Sequence, residues 1–434
     1  MFVDHDDFTN PYLEETMKQR VVATIIAFAS LAGLAATASP ASAAVAVRGT
    51  FTPLDPVRIL DTRDGTGVAG QHRGPLGAGA VTQLKVTDVG GVPAVGAGAV
   101  VLNVTATEAP GDGFITTFPC GDDRPTASNV NFTHGVNVPN QVTVKVGQDG
   151  QVCFFASSKV QIVADLFGWY ANDFASRPGY RYHELDPARV VDTRDGTGTG
   201  TRVVSPLATD EIFSFDVDGA GGIPATGARA VTMNVTTANS TTAGFLTVFP
   251  CDRPRPTASN LNFDPSAPAV ANLVTVRTGD DGKVCFYASA PVDLIVDVQG
   301  YFADGPGVEF TSSSPVRILD TRDGTGVELN RKGPLHNGDV FVLHVAGQNG
   351  VPADARAALL NVTVTAAEGT GFVTVFPCGH LRPIASNLNY IRGVDRANLV
   401  KARIGNNGNV CIFVEHGTQV IADLDGWFTA QAAS

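Results

Sequence analysis

Apolar residues in this chain come in short runs rich in Val, Ile, Thr and Phe, and Gly, Pro, Asn or Asp closes nearly every run. That is the chemistry of strands and turns. In the first third the runs predict eight strands: Val57–Thr62, Val81–Thr87, Ala99–Thr107, Gly113–Phe118, Ser128–Phe132, Gln141–Val146, Gln151–Phe155 and Val160–Tyr170. No stretch past residue 43 holds a clear 3.6-residue apolar period, so the pattern predicts an all-β protein. The spacing and alternation favour antiparallel β-sandwiches of the jelly-roll or immunoglobulin-like kind. A β-trefoil is the alternative, but it needs a threefold pattern inside each unit.

A threefold pattern is present between units instead. The string D-T-R-D-G-T-G begins at Asp61, Asp192 and Asp320, followed each time by N-V-T (Asn103, Asn234, Asn361), P-C (Cys120, Cys251, Cys378) and A-S-N (Ser128, Ser259, Ser386). Three modules follow, at 49–171, 180–303 and 308–429, each long enough to close its own core without its neighbours. The linkers, Asn172–Tyr182 and Asp304–Ser314, carry Arg177-Pro178-Gly179 and Gly305-Pro306-Gly307 and read as short loops. Turns at Gly147, Gly279 and Gly405 (G-Q-D-G, G-D-D-G, G-N-N-G) read as hairpins built from residues that tolerate positive φ.

Ahead of the modules, residues 17–43 have a basic start, an apolar run from Val21 to Ala36 and Ala41-Ser42-Ala43, which reads as a secretory signal peptide. Residues 1–16 are acidic, unlike a signal n-region, and point to Met17 as the true start. Removing residues 1–43, with five acids and two bases, moves the net charge from −12 to −9. This acidity argues against a nucleic-acid partner. No later apolar span is long enough for a transmembrane helix. The expected location is secreted, extracellular or attached to the cell surface.

Export gives the cysteines a role. They fall one pair per module, Cys120 with Cys153, Cys251 with Cys285 and Cys378 with Cys411, and of the possible pairings only this one respects the repeat. Three intramodular disulfides are predicted. Zinc would lack two ligands per site because no histidine recurs with the cysteines. The histidines recur nowhere in equivalent positions, which leaves no repeated catalytic set. No catalytic residues, metal or cofactor are assigned on this reading.

The other repeated residues are weighed between structure and binding. Asp61, Asp64, Asp192, Asp195, Asp320 and Asp323 offer carboxylates for calcium, but too few oxygens for its shell, and a turn with an Arg–Asp pair accounts for them more simply. Asp165, Asp297 and Asp423 lie inside apolar strands and need a cation; Arg63, Arg194 and Arg322 of D-T-R are the expected structural partners. Of the aromatic pairs Trp169-Tyr170, Tyr301-Phe302 and Trp427-Phe428, one ring should face the core and the other outward, which makes Trp169, Tyr301 and Trp427 candidates for stacking on sugars. The asparagines Asn129 with Asn131, Asn260 with Asn262 and Asn387 with Asn389, joined by Asn140, Asn272 and Asn398, form the best candidate binding face, two amides sharing one side of a strand.

As a set, P-V-R-I-L-D-T-R-D-G-T-G, V-V-L-N-V-T, R-P-T-A-S-N-V-N-F and I-V-A-D-L-F-G-W-Y resemble a tandem module of exported proteins from GC-rich Gram-positive bacteria. The resemblance implies an accessory or surface module without an established catalytic role. The expected function is therefore multivalent binding or adhesion to a surface polymer, a glycan, or to an envelope protein. A secreted hydrolase with one active site in a single module, and a structural spacer without a small ligand, are the alternatives.

Overall fold

The computed structural model describes residues 48–68, 73–175, 179–327 and 332–430; the signal peptide and the acidic lead lie outside them. The first module holds β1 (Arg48–Gly49), β2 (Phe51–Asp61), β3 (Val81–Lys85), β4 (Ala97–Thr107), β5 (Gly113–Pro119), β6 (Val130–Phe132), β7 (Val138–Lys145), β8 (Gln151–Ala156) and β9 (Gln161–Ala171). The second holds β10 (Arg181–Asp192), β11 (Glu211–Asp216), β12 (Ala230–Ala238), β13 (Gly244–Pro250), β14 (Leu261–Phe263), β15 (Ala269–Arg277), β16 (Lys283–Ala288) and β17 (Asp293–Ala303). The third holds β18 (Val308–Asp320), β19 (Val340–His344), β20 (Ala355–Thr365), β21 (Gly371–Pro377), β22 (Leu388–Tyr390), β23 (Arg396–Arg403), β24 (Asn409–Val414) and β25 (Gln419–Ala430). Strand thus begins at Val308, inside the segment expected as the second linker.

Each module is a sandwich of two antiparallel sheets. In the first the orders are β2-β9-β4-β7 and β3-β8-β5-β6, and the others repeat them as β10-β17-β12-β15 with β11-β16-β13-β14 and β18-β25-β20-β23 with β19-β24-β21-β22. Counting the eight long strands, these are orders 1-8-3-6 and 2-7-4-5, the jelly-roll arrangement rather than the immunoglobulin or trefoil one.

The two sheets differ in burial, and the sequence shows why. Edge strand β3, V-T-Q-L-K, alternates exposed and buried, as expected of a sheet with one wet face. Strand β4, A-G-A-V-V-L-N-V-T-A-T, is buried almost throughout. Its second face is covered by the other modules, so polar alternation would be costly there.

This covering makes the three modules one compact unit instead of three self-sufficient ones. The inner sheets of the second and third modules join edge to edge through Tyr182 and Val308, and β1 of the first module pairs with β18 of the third. Around the pseudo-threefold axis six rings meet in pairs across the modules. Phe51 lies 4.5 Å from Phe302, Tyr170 4.4 Å from Phe310, and Tyr182 4.9 Å from Phe428, between ring centroids. All six are buried. Each such pair adds on the order of 1 kcal/mol beyond the area it removes from water.

Disulfides join Cys120 to Cys153, Cys251 to Cys285 and Cys378 to Cys411, each with Cα atoms 5.0 Å apart. They tie β8, β16 and β24 to the loops after β5, β13 and β21. The hairpin turns carry the expected positive φ at Asp149 (55°) and Asn407 (57°).

Candidate functional site at the module junctions

The D-T-R-D-G-T-G segment leaves β2 and turns back on it. Asp61 is buried, and its carboxylate accepts from the backbone and guanidinium of Arg63, at 2.7–3.1 Å. Burial raises its pKa, yet these bonds and the charges of Arg63 and Arg58 prevail and hold it below the usual carboxylate range. Asp64 accepts from the backbone of Thr66 at 2.8 Å, closing the turn. The last glycine is obligatory: a Cβ on Gly67 would lie 2.0 Å from the carbonyl oxygen of Ile59, and φ there is +73°. The same bonds recur at Asp192 with Arg194, Asp195 with Thr197, Asp320 with Arg322 and Asp323 with Thr325. The carboxylates proposed for calcium are thereby committed to arginine and backbone donors.

The buried aspartate of the last strand has a different partner from the one expected. Arg58, not Arg63, grips Asp165, with Nε 3.0 Å from Oδ1 and Nη2 3.4 Å from Oδ2. Arg189 holds Asp297 and Arg317 holds Asp423 in the same way. Register is the reason: Arg58 stands opposite Asp165 across β2 and β9, whereas Arg63 lies in the turn, where Asp61 takes it. Desolvation raises the pKa of Asp165, and Arg58 opposes that rise.

Arg58 also reaches into the next module, where Nη2 donates to the carbonyl of Thr257 at 2.8 Å. Arg189 does so to Ile384 and Arg317 to Thr126, which closes a ring from the first module to the second, the third and back. The N-V-T asparagines close it again: Asn103 donates to Ser259 O (2.8 Å), Asn234 to Ser386 O (2.6 Å) and Asn361 to Ser128 O (2.7 Å). A third ring runs through Asn140, Asn272 and Asn398, whose Oδ1 atoms accept from Leu399, Gln141 and Leu273. Such head-to-tail contacts close because three steps complete the rotation.

The expected binding face is therefore largely interior. Asn129, Asn260 and Asn387 are buried and accept from Thr117, Val248 and Val375; Asn140, Asn272 and Asn398 are buried at the junctions. Alternation fails because β6, β14 and β22 begin one residue after Asn129, Asn260 and Asn387. Asn131, Asn262 and Asn389 stay half-exposed. Trp169 and Trp427 are buried in their own module cores, while Tyr301 is half-buried and stacked on His183 at 4.6 Å. The rings expected outside face protein because the inner sheet is covered on both faces.

An open cleft of about 320 Å³ lies between the first two modules. Thr105, Thr107, Asn137 and Arg63 line one side, and Phe245, Arg255, Ser259 and Asn262 the other. Arg255 lies 3.9 Å over the ring of Tyr287, itself 5.9 Å from Phe245. Arg124 over Phe155 near Phe114, and Arg382 over Phe413 near Phe372, repeat this cluster. These Arg–Phe clusters and the bridging arginines Arg58, Arg189 and Arg317 recur at matched positions in the sequence, which was the signal available for finding them.

Among the described residues, no group of three or more His, Cys, Asp or Glu is placed to hold a metal ion. Among them, too, no helix is long and apolar enough to cross a membrane.

No family model matches the chain, and no curated protein matches it. Among solved structures, one described by the triple jelly-roll fold and turret assembly of an archaeal virus aligns over 85% of this chain and 95% of its own, at 10% identity and a TM-score of 0.17. Another, from Sulfolobus turreted icosahedral virus, aligns over 89% of this chain and 92% of its own, at 11% identity and a TM-score of 0.18. The strand order above, not these likenesses, defines the fold.

Proposed function

We propose that this chain is a secreted, multivalent binding protein that attaches to a repeating surface polymer, a glycan, through its module junctions. The observation that carries the reading is the repeated surface cluster: a half-exposed ring (Phe114, Phe245, Phe372), a stacked guanidinium (Arg124, Arg255, Arg382) and an amide (Asn131, Asn262, Asn389). A ring face beside polar donors is the pairing that sugars require, apolar C–H faces on one side and hydroxyls on the other. Three like clusters on one rigid body let a polymer engage them together, raising avidity by about 10²–10⁴ over one site. Three disulfides fit an oxidising location outside the cell.

The test is a pull-down of the full chain on purified wall glycan and on whole cells. Wild type should bind both, and the triple variant Phe114→Ala, Phe245→Ala, Phe372→Ala should lose most of the binding with an unchanged melting temperature. Retention on cells stripped of glycan would replace the polymer with an envelope protein. Equal binding by the triple variant would remove the clusters from the function.

A further inference from the structure

A second, smaller pocket lies where all three modules meet. It is lined by Asn137 and Val138 of the first module, Asn262, Asp264 and Val270 of the second, and Asn389 and Arg396 of the third. At matched positions the first two modules place valine, and only the third places a guanidinium.

Arg396 is half-buried, and among the described residues its guanidinium has no ion pair and no hydrogen bond. Asp264, on the pocket wall, attracts it without forming an ion pair, and its Oδ1 is taken by the backbone of Ser266 at 2.7 Å. Desolvation pulls the pKa of Arg396 below arginine's usual value, as expected for a cation removed from water without a counter-ion. The amides beside it have unused donors. Oδ1 of Asn137 accepts from Thr107 at 2.6 Å and Oδ1 of Asn389 from Ser386 at 3.1 Å, while among the described residues neither Nδ2 has an acceptor.

We propose that this axial pocket binds a single carboxylate group, with Arg396 as its cation and the Asn137 and Asn389 amides as further donors. A guanidinium fork matches a planar carboxylate in two parallel bonds. The valines show that the fold does not need a charge here. The third module's departure from them is then a specific addition, which shares the Asn389 amide with the third Arg–Phe cluster but not its ring or its guanidinium.

Titration calorimetry on the full chain tests this with acetate as the probe. Saturable acetate binding, weakened at least tenfold in Arg396→Val, is the expected result. That substitution installs the sister modules' residue, so the variant should melt no lower than wild type. D-glucuronate and N-acetylalanine separate the two sources of a carboxylate, an acidic sugar and a peptide C-terminus; tighter binding of either than acetate supports the site and names its source. No saturable binding of any of the three, equal affinity in Arg396→Val, or chloride competing as well as acetate would overturn the proposal. The triple Phe→Ala variant removes the rings and leaves Arg396 and the shared Asn389 amide, so it should lose polymer binding and keep acetate binding.

Discussion

Two sets of residues hold the modules together, and they obey different rules. At the junctions each contact is made three times: Arg58, Arg189 and Arg317, held by Asp165, Asp297 and Asp423 of their own modules, reach the carbonyls of Thr257, Ile384 and Thr126, and the three N-V-T asparagines reach serine carbonyls. On the axis the modules diverge. Thr143 and Thr275 of the first two correspond to Lys401 of the third, Phe167 and Gln299 to Asp425, and Val138 and Val270 to Arg396. A junction is met once per module and can be satisfied by repetition. The axis is met once per molecule, and three lysines converging there would repel one another in a medium that screens them poorly. Single-copy charges belong where a repeat would be self-defeating.

Lys401 shows what such a position costs. Its ammonium donates to Oγ1 of Thr232 at 3.0 Å and lies 4.6, 4.7 and 5.4 Å from the ring centroids of Tyr182, Phe302 and Phe428, with no carboxylate in an ion pair among the described residues. Burial depresses its pKa well below 10.5. Asp425 is its acidic counterpart in kind. Among the described residues neither carboxylate oxygen has a partner, and burial, helped by Asp423, raises its pKa well above the usual carboxylate range.

The comparison is broken most severely at the junctions. Replacing Asp165 by Ala leaves Arg58 with Asp61 as its one carboxylate partner beside the Thr257 carbonyl, and should cost about 3–5 kcal/mol, read as a lowered melting temperature. Because the unit is shared, the loss should appear in the unfolding of the whole unit; a separate transition for the first module would contradict the interlocked architecture.

Next in size is the second disulfide. Cys251→Ser with Cys285→Ser opens a loop of 34 residues and should cost about 3–4 kcal/mol in the chain-entropy model. Denaturant unfolding of the full chain measures it, and a negligible change would show that the surrounding sheet already holds the loop.

The axis should respond with the opposite sign. Lys401→Met keeps the volume and removes the buried amine, and should stabilise the chain by about 1–3 kcal/mol at neutral pH. The sign in pH follows from linkage. Between the depressed folded pKa and 10.5 the unfolded chain binds a proton that the folded chain does not, so wild-type stability rises with pH across that window. The gap between the variant and wild type should therefore shrink as pH approaches 10.5. A gap independent of pH would mean that Lys401 stays charged in its ring of aromatics.

The smallest effect is expected at the rim. Asp55 bridges Arg253 and Arg277 across the first junction but is exposed, so Asp55→Asn should cost under about 1 kcal/mol and less in high salt.

Much of this was readable from the chain alone. Period-two runs and turn residues placed all eight long strands of the first module, and the recurrence of cysteines at separations of 33 and 34 residues picked the disulfides. These are local or repeated signals, which a linear reading detects. The partner of Asp165 was not readable, because choosing Arg58 over Arg63 requires the register of β2 against β9.

Nor could the sequence show that the modules interlock. A strand buried by its own module and one buried by a neighbour carry the same apolar residues. Asn103, Asn140 and Trp169 therefore look alike as surface or interior groups until the ring is closed. The sequence by itself determined the strands, the turns and the threefold repeat, because those depend on backbone preference and side-chain alternation within short stretches. Only the tertiary structure decided which face of each inner sheet meets water, since that depends on residues more than a hundred positions away.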